Sequence, residues 1–595
     1  MFLRFTTRKK NGKEHRYYSL VENRRVSSGR VVQRPVLYLG EINDSQKEAW
    51  RKTIEIFEEG KPRSRTVALF PEDRIGPVAD ADIVRLRLNE LSLHRPRQWG
   101  ACWLARQLWE QLELDRFWAE RLPPSRKGTR WDWVLQILVF YRLIEPGSEW
   151  RLYRHWFEHS ALADLLGVDL ELADIHKLYE CHDRLLTHKR ELFNHLTGRW
   201  KDLFNARFEV LLYDLTSTYF ESDPPFPEGD KRRYGYSRDK RSDCVQVVIA
   251  LIVTPEGFPL AYEVMAGNTS DKTTLREFLK KIEQQYGKAD RIWVMDRGIP
   301  TKEVLAEMRA ADPPIHYLVG TPRGLLSKYE EKLLRLPWQV VREGVSVKLL
   351  AEDKELYVFA QSQDRVSKER AMRRRQLKGL CKRLKQLQQM DLKRDELLKK
   401  LGAALHDFPT AARLTETAVA PKAAQLSFSL RKDKLRQARK REGRYLLRSN
   451  IVSGRSPEEL WHFYIQLTQV EGAFKDLKDD LNLRPIRHQL EGRIEAHIFI
   501  SFLAYCLHVT LRRRLRDLAP GLTARAVLEK FATIQMLDVH LPTTDQRTVV
   551  MRRYTQPESD VQLLLQRLKL ELPPQPPPKI MNPKPPGQTG PVVKT

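Results

Sequence analysis

Five cysteines in 595 residues, at 102, 181, 244, 381 and 506, include no CxxC pair. Their scarcity and spacing exclude a disulfide scaffold, a zinc ribbon and a dithiol redox motif, and suit buried thiols in a reducing compartment. The opening Met1-Phe2-Leu3-Arg4-Phe5 runs straight into Arg8-Lys9-Lys10, without the roughly 7–15-residue apolar core of a secretory signal. No apolar run reaches the ~18–20 residues of a membrane span; the longest, near 498–510, follows His497 and is interrupted by His508. No internal repeat is visible. A cytoplasmic protein without membrane contact is expected. Acidic residues are also short: 77 against 104 Lys and Arg, a net +27. Such an imbalance calls for an anionic partner, and with no amphipathic anchor at either terminus that partner is nucleic acid.

What is present is globular. Hydrophobic residues are 41% and charged residues 30%, enough for real cores, and the length suits about three to five domains. Residues 1–75 open with strand-like alternation around Asn11-Gly12, a hairpin signal; this small basic sheet either contacts DNA or simply packs. A linker is expected within 41–95. Residues 91–207 read as an α-helical domain, with Trp103, Leu104, Leu108, Trp109 and Leu112 at helical spacing, and could hold a DNA-binding helix pair. From 208 to 320 the order is β-β-β-α-β-α-β, the order of a ribonuclease-H-like core. Residues 321–447 hold a strand pair and a long basic tract; residues 361–440 carry 22 basic and 8 acidic residues, a net +14. A phosphate-tracking surface is the economical reading. Core elements resume over 448–520. A helical region follows at 521–572, and the Pro-rich tail 573–595 is expected to be disordered or extended.

Three acidic residues stand out. Asp214 lies inside the apolar strand near 208–215, where a carboxylate is costly unless paired or metal-bound. Asp296 ends another apolar strand. Glu471 lies on a helix whose start is marked by Ser456, Pro457 and Glu459, a capping box with proline at the first turn. In a ribonuclease-H-like sheet the first and fourth strands are neighbours and the last helix crosses their ends, so the three carboxylates converge. Converging carboxylates call for cations. Two Mg²⁺ ions, for which Mn²⁺ can substitute, suit all-oxygen ligands and in-line phosphoryl displacement. Tyr464, Glu471 and Lys478 are spaced seven and seven, which places them on one face of a continuous helix. Lys478 and Tyr464 are then candidates to hold phosphates.

Tyr213-Asp214-Leu215-Thr216-Ser217-Thr218, Val294-Met295-Asp296-Arg297-Gly298 and the Tyr464, Glu471, Lys478 spacing together resemble the signatures of bacterial insertion-sequence transposases of the DDE class. The subgroup they resemble has a Y-x2-R-x3-E-x6-K helix (the insertion-sequence-four type). Gly235 to Asp243 with Gln246, Gly257-Phe258-Pro259-Leu260, Gly267 to Asp271, Arg484 to His488 and Arg493 to His497 are similar as well. The resemblance implies an α/β fold: a ribonuclease-H-like catalytic core interrupted by an inserted strand-plus-helix domain, beside the small β sheet and the α-helical domain. It implies cleavage at terminal inverted repeats and joining of 3′-hydroxyls to target DNA, by a homodimer on double-stranded DNA in the bacterial cytoplasm at the nucleoid. Asp214, Asp296 and Glu471 are the implied metal ligands. The signature arginine falls at Leu467, so Arg448 or Lys475 is expected to replace its phosphate contact. Arg373, Arg374 and Arg375 are expected on DNA. Trp338 is either a core tryptophan or, as in relatives with a hairpin intermediate, a residue stacked on a flipped base. An endonuclease without strand transfer, or a non-catalytic DNA-binding descendant, would share much of this pattern.

Overall fold

A strand buried at every position, as Val245–Val253 is, needs cover on both faces of its sheet. The architecture follows from that requirement. The computed structural model describes residues 2–581 except 11–12, 26–30, 44–45, 48–49, 51–85, 223, 288–289, 297, 322–327, 330, 334, 353 and 422–423. The expected hairpin tip Asn11-Gly12 and most of the expected linker lie outside the described residues.

Strands β1 (Phe2–Lys10), β2 (Lys13–Arg25) and β3 (Val31–Gly40) form a small antiparallel sheet in that order. Strand β4 (Ser92–Gln98) leads into a helical region whose main helices are Gly100–Gln111, Trp131–Ile144, Ile175–His182 and Lys189–Phe204. Next come β5 (Val210–Phe220), β6 (Val245–Val253), β7 (Pro259–Ala266), helix Asp271–Tyr286, β8 (Ile292–Met295), helix Lys302–Ala310 and β9 (His316–Gly320). Strands β10 (Gln339–Arg342), β11 (Val345–Glu352) and β12 (Glu355–Ser362) precede helices Gln363–Gln389 and Arg394–Asp407. A hairpin, β13 (Thr415–Val419) and β14 (Leu426–Leu430), is followed by helix Lys432–Lys440 and β15 (Arg444–Ser449). Helices Pro457–Ile465, Leu467–Lys475 and Glu491–Leu518 come before β16 (Gln535–Pro542), β17 (Thr548–Tyr554) and β18 (Lys579–Met581).

The central sheet has nine strands in the order β10-β11-β12-β15-β9-β8-β5-β6-β7. Within it β7, β6 and β5 are antiparallel neighbours, while β5, β8 and β9 run parallel. That order and those directions fit a ribonuclease-H-like core. Strand β15 pairs antiparallel with both β9 and β12, so the strands of the 321–447 segment widen the same sheet. Its helices are separate: Leu380, Leu384, Leu387, Leu397 and Leu401 close a small core of their own.

Side chains of successive strand residues point to opposite faces, and the two cores divide accordingly. Leu212, Val247, Ile249, Leu251, Ile292 and Val294 face the larger core, shared with the N-terminal helical region and with Glu491–Leu518. Leu211, Tyr213, Val248, Ile252, Trp293 and Met295 face the helices Asp271–Tyr286 and Lys302–Ala310 through Leu275, Phe278, Ile282, Val304 and Met308. The helical region is thus continuous with the core. Trp200 Nε1 donates to Thr510 Oγ1 at 3.0 Å across that junction. Glu491–Leu518 is long and apolar enough to cross a membrane, yet 94% of its apolar window is buried inside the protein.

At the C-terminus one expectation is extended and another narrowed. The 521–572 region, expected to be helical, holds helices Ala524–Phe531 and Ser559–Leu568 and, between them, the hairpin β16–β17, which pairs with β4. Buried Arg97 on β4 bridges Asp164 at 2.7 Å and Asp538 at 2.8 Å; this long-range pairing has no local periodic signal. The Pro-rich stretch is extended and held: Gln575 exchanges hydrogen bonds with the Tyr554 backbone at 3.1 and 2.9 Å, and β18 pairs with β17. Residues 582–595 lie outside the described residues.

Gly267 marks a close approach of three backbone segments. Its amide donates to the Lys231 carbonyl, its carbonyl accepts from Gln246 Nε2 at 2.9 Å, and Gln246 exchanges backbone hydrogen bonds with Arg233. A methyl at Gly267 would sit 2.0 Å from the Gln246 oxygen and 2.4 Å from the Arg233 oxygen. Gly267→Ala is therefore expected to destabilise by at least roughly 1–3 kcal/mol. Gly198→Ala, in open space on a helix, is expected to be neutral or stabilising by about 0.5–1 kcal/mol. Paired urea unfolding curves check both; equal midpoints for the two variants would refute the close-packing argument.

Candidate active site

Asp214 and Asp296 are brought together by strand register. Parallel β5 and β8 pair Leu212 with Val294 and Tyr213 with Met295, so Asp214 and Asp296 are next in line. By alternation both follow Leu212 and Val294 onto the face of the larger core. Asp214 is half-buried within β5, and its carboxylate accepts from the Leu215 amide at 2.8 Å. Asp296 emerges, exposed, from the end of β8.

Glu471 comes from a helix packed across β5 and β6 on that same face. Val470, Ala473 and Phe474 bury its inner side and leave Glu471 exposed. The approach to it is a capped helix, Pro457–Ile465: Glu459 N donates to Ser456 Oγ at 3.1 Å, and Ser456 N donates to Glu459 Oε2 at 2.8 Å. The continuous helix expected through Lys478 is interrupted. The chain turns at Gln466, restarts as Leu467–Lys475, and widens into a π turn over Asp476–Asp480. Tyr464, Glu471 and Lys478 therefore sit on three successive segments, and heptad spacing alone does not place them on one face.

Asp214 feels the other two carboxylates. Burial pushes the Asp214 carboxyl up to about 7; the Leu215 amide and Arg238 oppose that rise, and the charges of Asp296 and Glu471 add to it. An all-oxygen set gathered on one face suits a hard divalent cation. Their oxygen-only donor chemistry is compatible with the divalent metal that such sites use.

The other expected residues divide sharply. Lys478 is largely buried and donates to Asp239 Oδ1 at 2.9 Å; Arg484 bonds the same carboxylate and reaches Asp479 at 3.3 Å. Burial lowers the Lys478 pKa, against the opposing pull of Asp239. Asp239 falls within the Gly235 to Asp243 motif, and its pairing with the helix turn after Glu471 is visible only in three dimensions. Tyr464 is half-buried with its ring stacked on Tyr445 at 5.8 Å. Lys475 is exposed one turn beyond Glu471. Leu467 packs against the core. Arg448 is not available to replace the signature arginine: it donates to buried Glu355 at 2.6 Å, alongside Arg309. Arg373 is likewise buried, paired with Glu442, whereas Arg374 and Arg375 are exposed. Trp338 is 39% exposed, stacked on Phe359 at 5.4 Å with Lys348 over its ring.

The family model described as the transposase DDE domain matches residues 206–507, which contain all three carboxylates and the five-strand core. The chain belongs to that family: it is a DDE transposase, and membership implies use of a divalent metal. Residues 3–56 match the N-terminal domain of the IS1634 family of transposases, which supports an insertion-sequence transposase. That match is to a different family from the insertion-sequence-four subgroup suggested by the Tyr464, Glu471, Lys478 spacing; the distinguishing domain lies far from that helix. No curated protein matches the chain. A solved structure of piggyBac transposase in a synaptic complex with hairpin DNA is similar at 12% identity and a TM-score of 0.31, covering 72% of this chain and 79% of that one.

The buried Lys478–Asp239 pair has a testable consequence. Lys478→Ala is expected to lower thermal stability as well as activity, because it leaves Asp239 partly uncompensated. The loss should stay below the ~3–5 kcal/mol of a fully orphaned buried charge, since Arg484 remains. A double-mutant cycle with Asp239→Ala, read by thermal unfolding, checks the coupling; additive losses would show that the two side chains act independently.

Proposed function

We propose that this protein catalyses cut-and-paste transposition of a bacterial insertion sequence. It binds the terminal inverted repeats of its element as a homodimer, cleaves at their ends and joins the freed 3′-hydroxyls to target DNA. The observation that carries this reading is Asp214, Asp296 and Glu471 on one face of the sheet, with burial first and then the charges of Asp296 and Glu471 raising the proton affinity of Asp214.

Asp214, Asp296 and Glu471 would hold two Mg²⁺ ions, which when bound supply activation of the attacking oxygen and stabilisation of the leaving oxygen. The chain's own contribution is placement. The β5–β8 register fixes two carboxylates on rigid strands, and the packed Leu467–Lys475 helix fixes the third. The Asp239, Lys478 and Arg484 group anchors the turn beyond it, so that Glu471 keeps its place when DNA arrives. Lys475, exposed beside Glu471, is the better candidate than Lys478 for a phosphate of the transposon end. Tyr464, its ring stacked on Tyr445, is a second candidate near the transposon end. The part of Trp338 left exposed suits stacking on an unpaired base. The basic helices Gln363–Gln389 and Lys432–Lys440 suit sequence-independent contact with the DNA backbone.

Asp214→Asn and Glu471→Gln are expected to abolish end cleavage with Mg²⁺ or Mn²⁺ and to leave affinity for end DNA within a few fold. Without divalent metal, Asp214→Asn should keep or raise the melting temperature, because a desolvated carboxylate is removed. Wild-type protein should join pre-cut ends to target DNA. Cleavage without joining would reassign it as an endonuclease, and normal nicking by either variant would remove the carboxylates from the mechanism.

The basic helix is tested separately. Replacing Arg374, Arg375 and Lys378 with Gln should weaken binding to unrelated DNA and to inverted-repeat ends alike. Each lost phosphate contact should remove roughly 0.9 from the slope of log affinity against log salt. An unchanged slope in a salt titration would make this helix an ordinary solvated surface.

A further inference from the structure

Away from the catalytic face, four metal-ligand side chains meet in the interior. Glu149, His182, His488 and His497 are each at least nine-tenths buried, and one ligand atom from each lies within 4.8 Å of all the others. They come from separate places: the short helix Glu149–Arg151, the end of Ile175–His182, the loop after the Glu471 helix, and Glu491–Leu518. Glu149 Oε1 lies 3.6 Å from His182 Nε2, 3.3 Å from His488 Nε2 and 3.6 Å from His497 Nδ1.

We infer that Glu149, His182, His488 and His497 form a structural site for one divalent cation of the zinc type, distinct from the catalytic carboxylates. Two observations carry this. His182 Nδ1 lies 2.8 Å from the Leu178 carbonyl; a carbonyl only accepts, so Nδ1 holds the proton and a neutral His182 presents the bare lone pair of Nε2. That atom is buried without a hydrogen-bond partner, and it faces a carboxylate oxygen that is also an acceptor. Two acceptors facing each other in the interior require a proton or a cation between them. The second observation is spacing. Ligands about 2.0–2.2 Å from a tetrahedral Zn²⁺ stand roughly 3.3–3.6 Å apart, which matches the three distances from Glu149. The backbone bond to His182 Nδ1 is also the kind of support that orients a histidine ligand.

Arg142 is the opposing feature. Its Nη2 lies 3.4 Å from His497 Nδ1 and 3.8 Å from Glu149 Oε1, while Nη1 donates to the Asn482 carbonyl at 3.2 Å. Metal binding therefore requires His497 Nδ1 to turn its lone pair from Arg142 to the ion. The positive charge lowers affinity, and four protein donors, with the anionic one among them, offset it. The site would tie the N-terminal helical region to the segment that follows the catalytic helix.

The test uses the full chain without a histidine tag, produced with zinc supplied and passed through gel filtration. About one zinc per chain is expected, as for a closed four-ligand site. The count should be unchanged in Asp214→Asn and lost in the His182→Gln, His497→Gln double variant, and a chelator should lower the melting temperature of the wild type reversibly. If the double variant misfolds, cobalt-substituted wild type decides: intense visible bands of four-coordinate cobalt support the site. A six-coordinate spectrum, folded wild type without zinc, or zinc retained by a folded double variant would each overturn it and leave a proton on His182 as the bridge to Glu149.

Discussion

A carboxylate placed inside a two-faced apolar sheet is the constraint on which the rest of this structure depends. Strand β5 is buried along most of its length and flanked by β6 and β8. Asp214 is therefore held half-buried, and burial raises its proton affinity into the neutral range. Two further carboxylates nearby make the site more strained electrostatically. A fold keeps such a group only where surrounding packing over-determines it, and here cores on both faces of the sheet do so. Oxygen ligands held on rigid strands in this way are positioned before any cation or DNA arrives.

The third carboxylate is positioned differently. Its helix is short, bounded by a turn at Gln466 and a π turn at Asp476–Asp480, and such a helix depends on its attachments. Val470, Ala473 and Phe474 anchor it from within, and Asp239 grips Lys478 and Arg484 just beyond it. Arg512 holds Asp476 at 2.7 Å from the long helix. The buried group around Glu149 lies further along the same stretch, where His488 and His497 follow Glu471 in sequence. The segment downstream of the Glu471 helix thus carries much of the polar wiring that joins the sheet to the helical region.

Positive charge is similarly divided between structure and partner binding. Arg97, Arg373 and Arg448 are each committed to buried carboxylates, where a lone guanidinium would be costly and a paired one fixes distant segments. Arg374, Arg375 and most of the Lys432–Lys440 helix stay at the surface. Proximity in sequence hides this: Arg373 and Arg374 are neighbours, yet one points at Glu442 and the other at solvent, because adjacent helical residues face about 100° apart.

Much was legible from the residues alone. Period-two alternation and all-apolar runs located β5, β6 and β8, since strand faces sort side chains by a fixed rule. Ser456, Pro457 and Glu459 marked a helix start through a local hydrogen-bond pattern that the structure contains. An acidic residue inside one apolar strand singles out Asp214, because burial of charge is visible as a violation of pattern, and Asp296 stands out as the acidic end of another apolar run. What depended on long-range contact was not legible. The pairing of β16 with β4, the capture of Lys478 by Asp239 and of Arg448 by Glu355, and the meeting of Glu149 with three distant histidines join residues tens to hundreds of positions apart. Sequence spacing carries the geometry of a single helix or strand; which of those elements touch is decided by how two cores are filled on either side of one sheet.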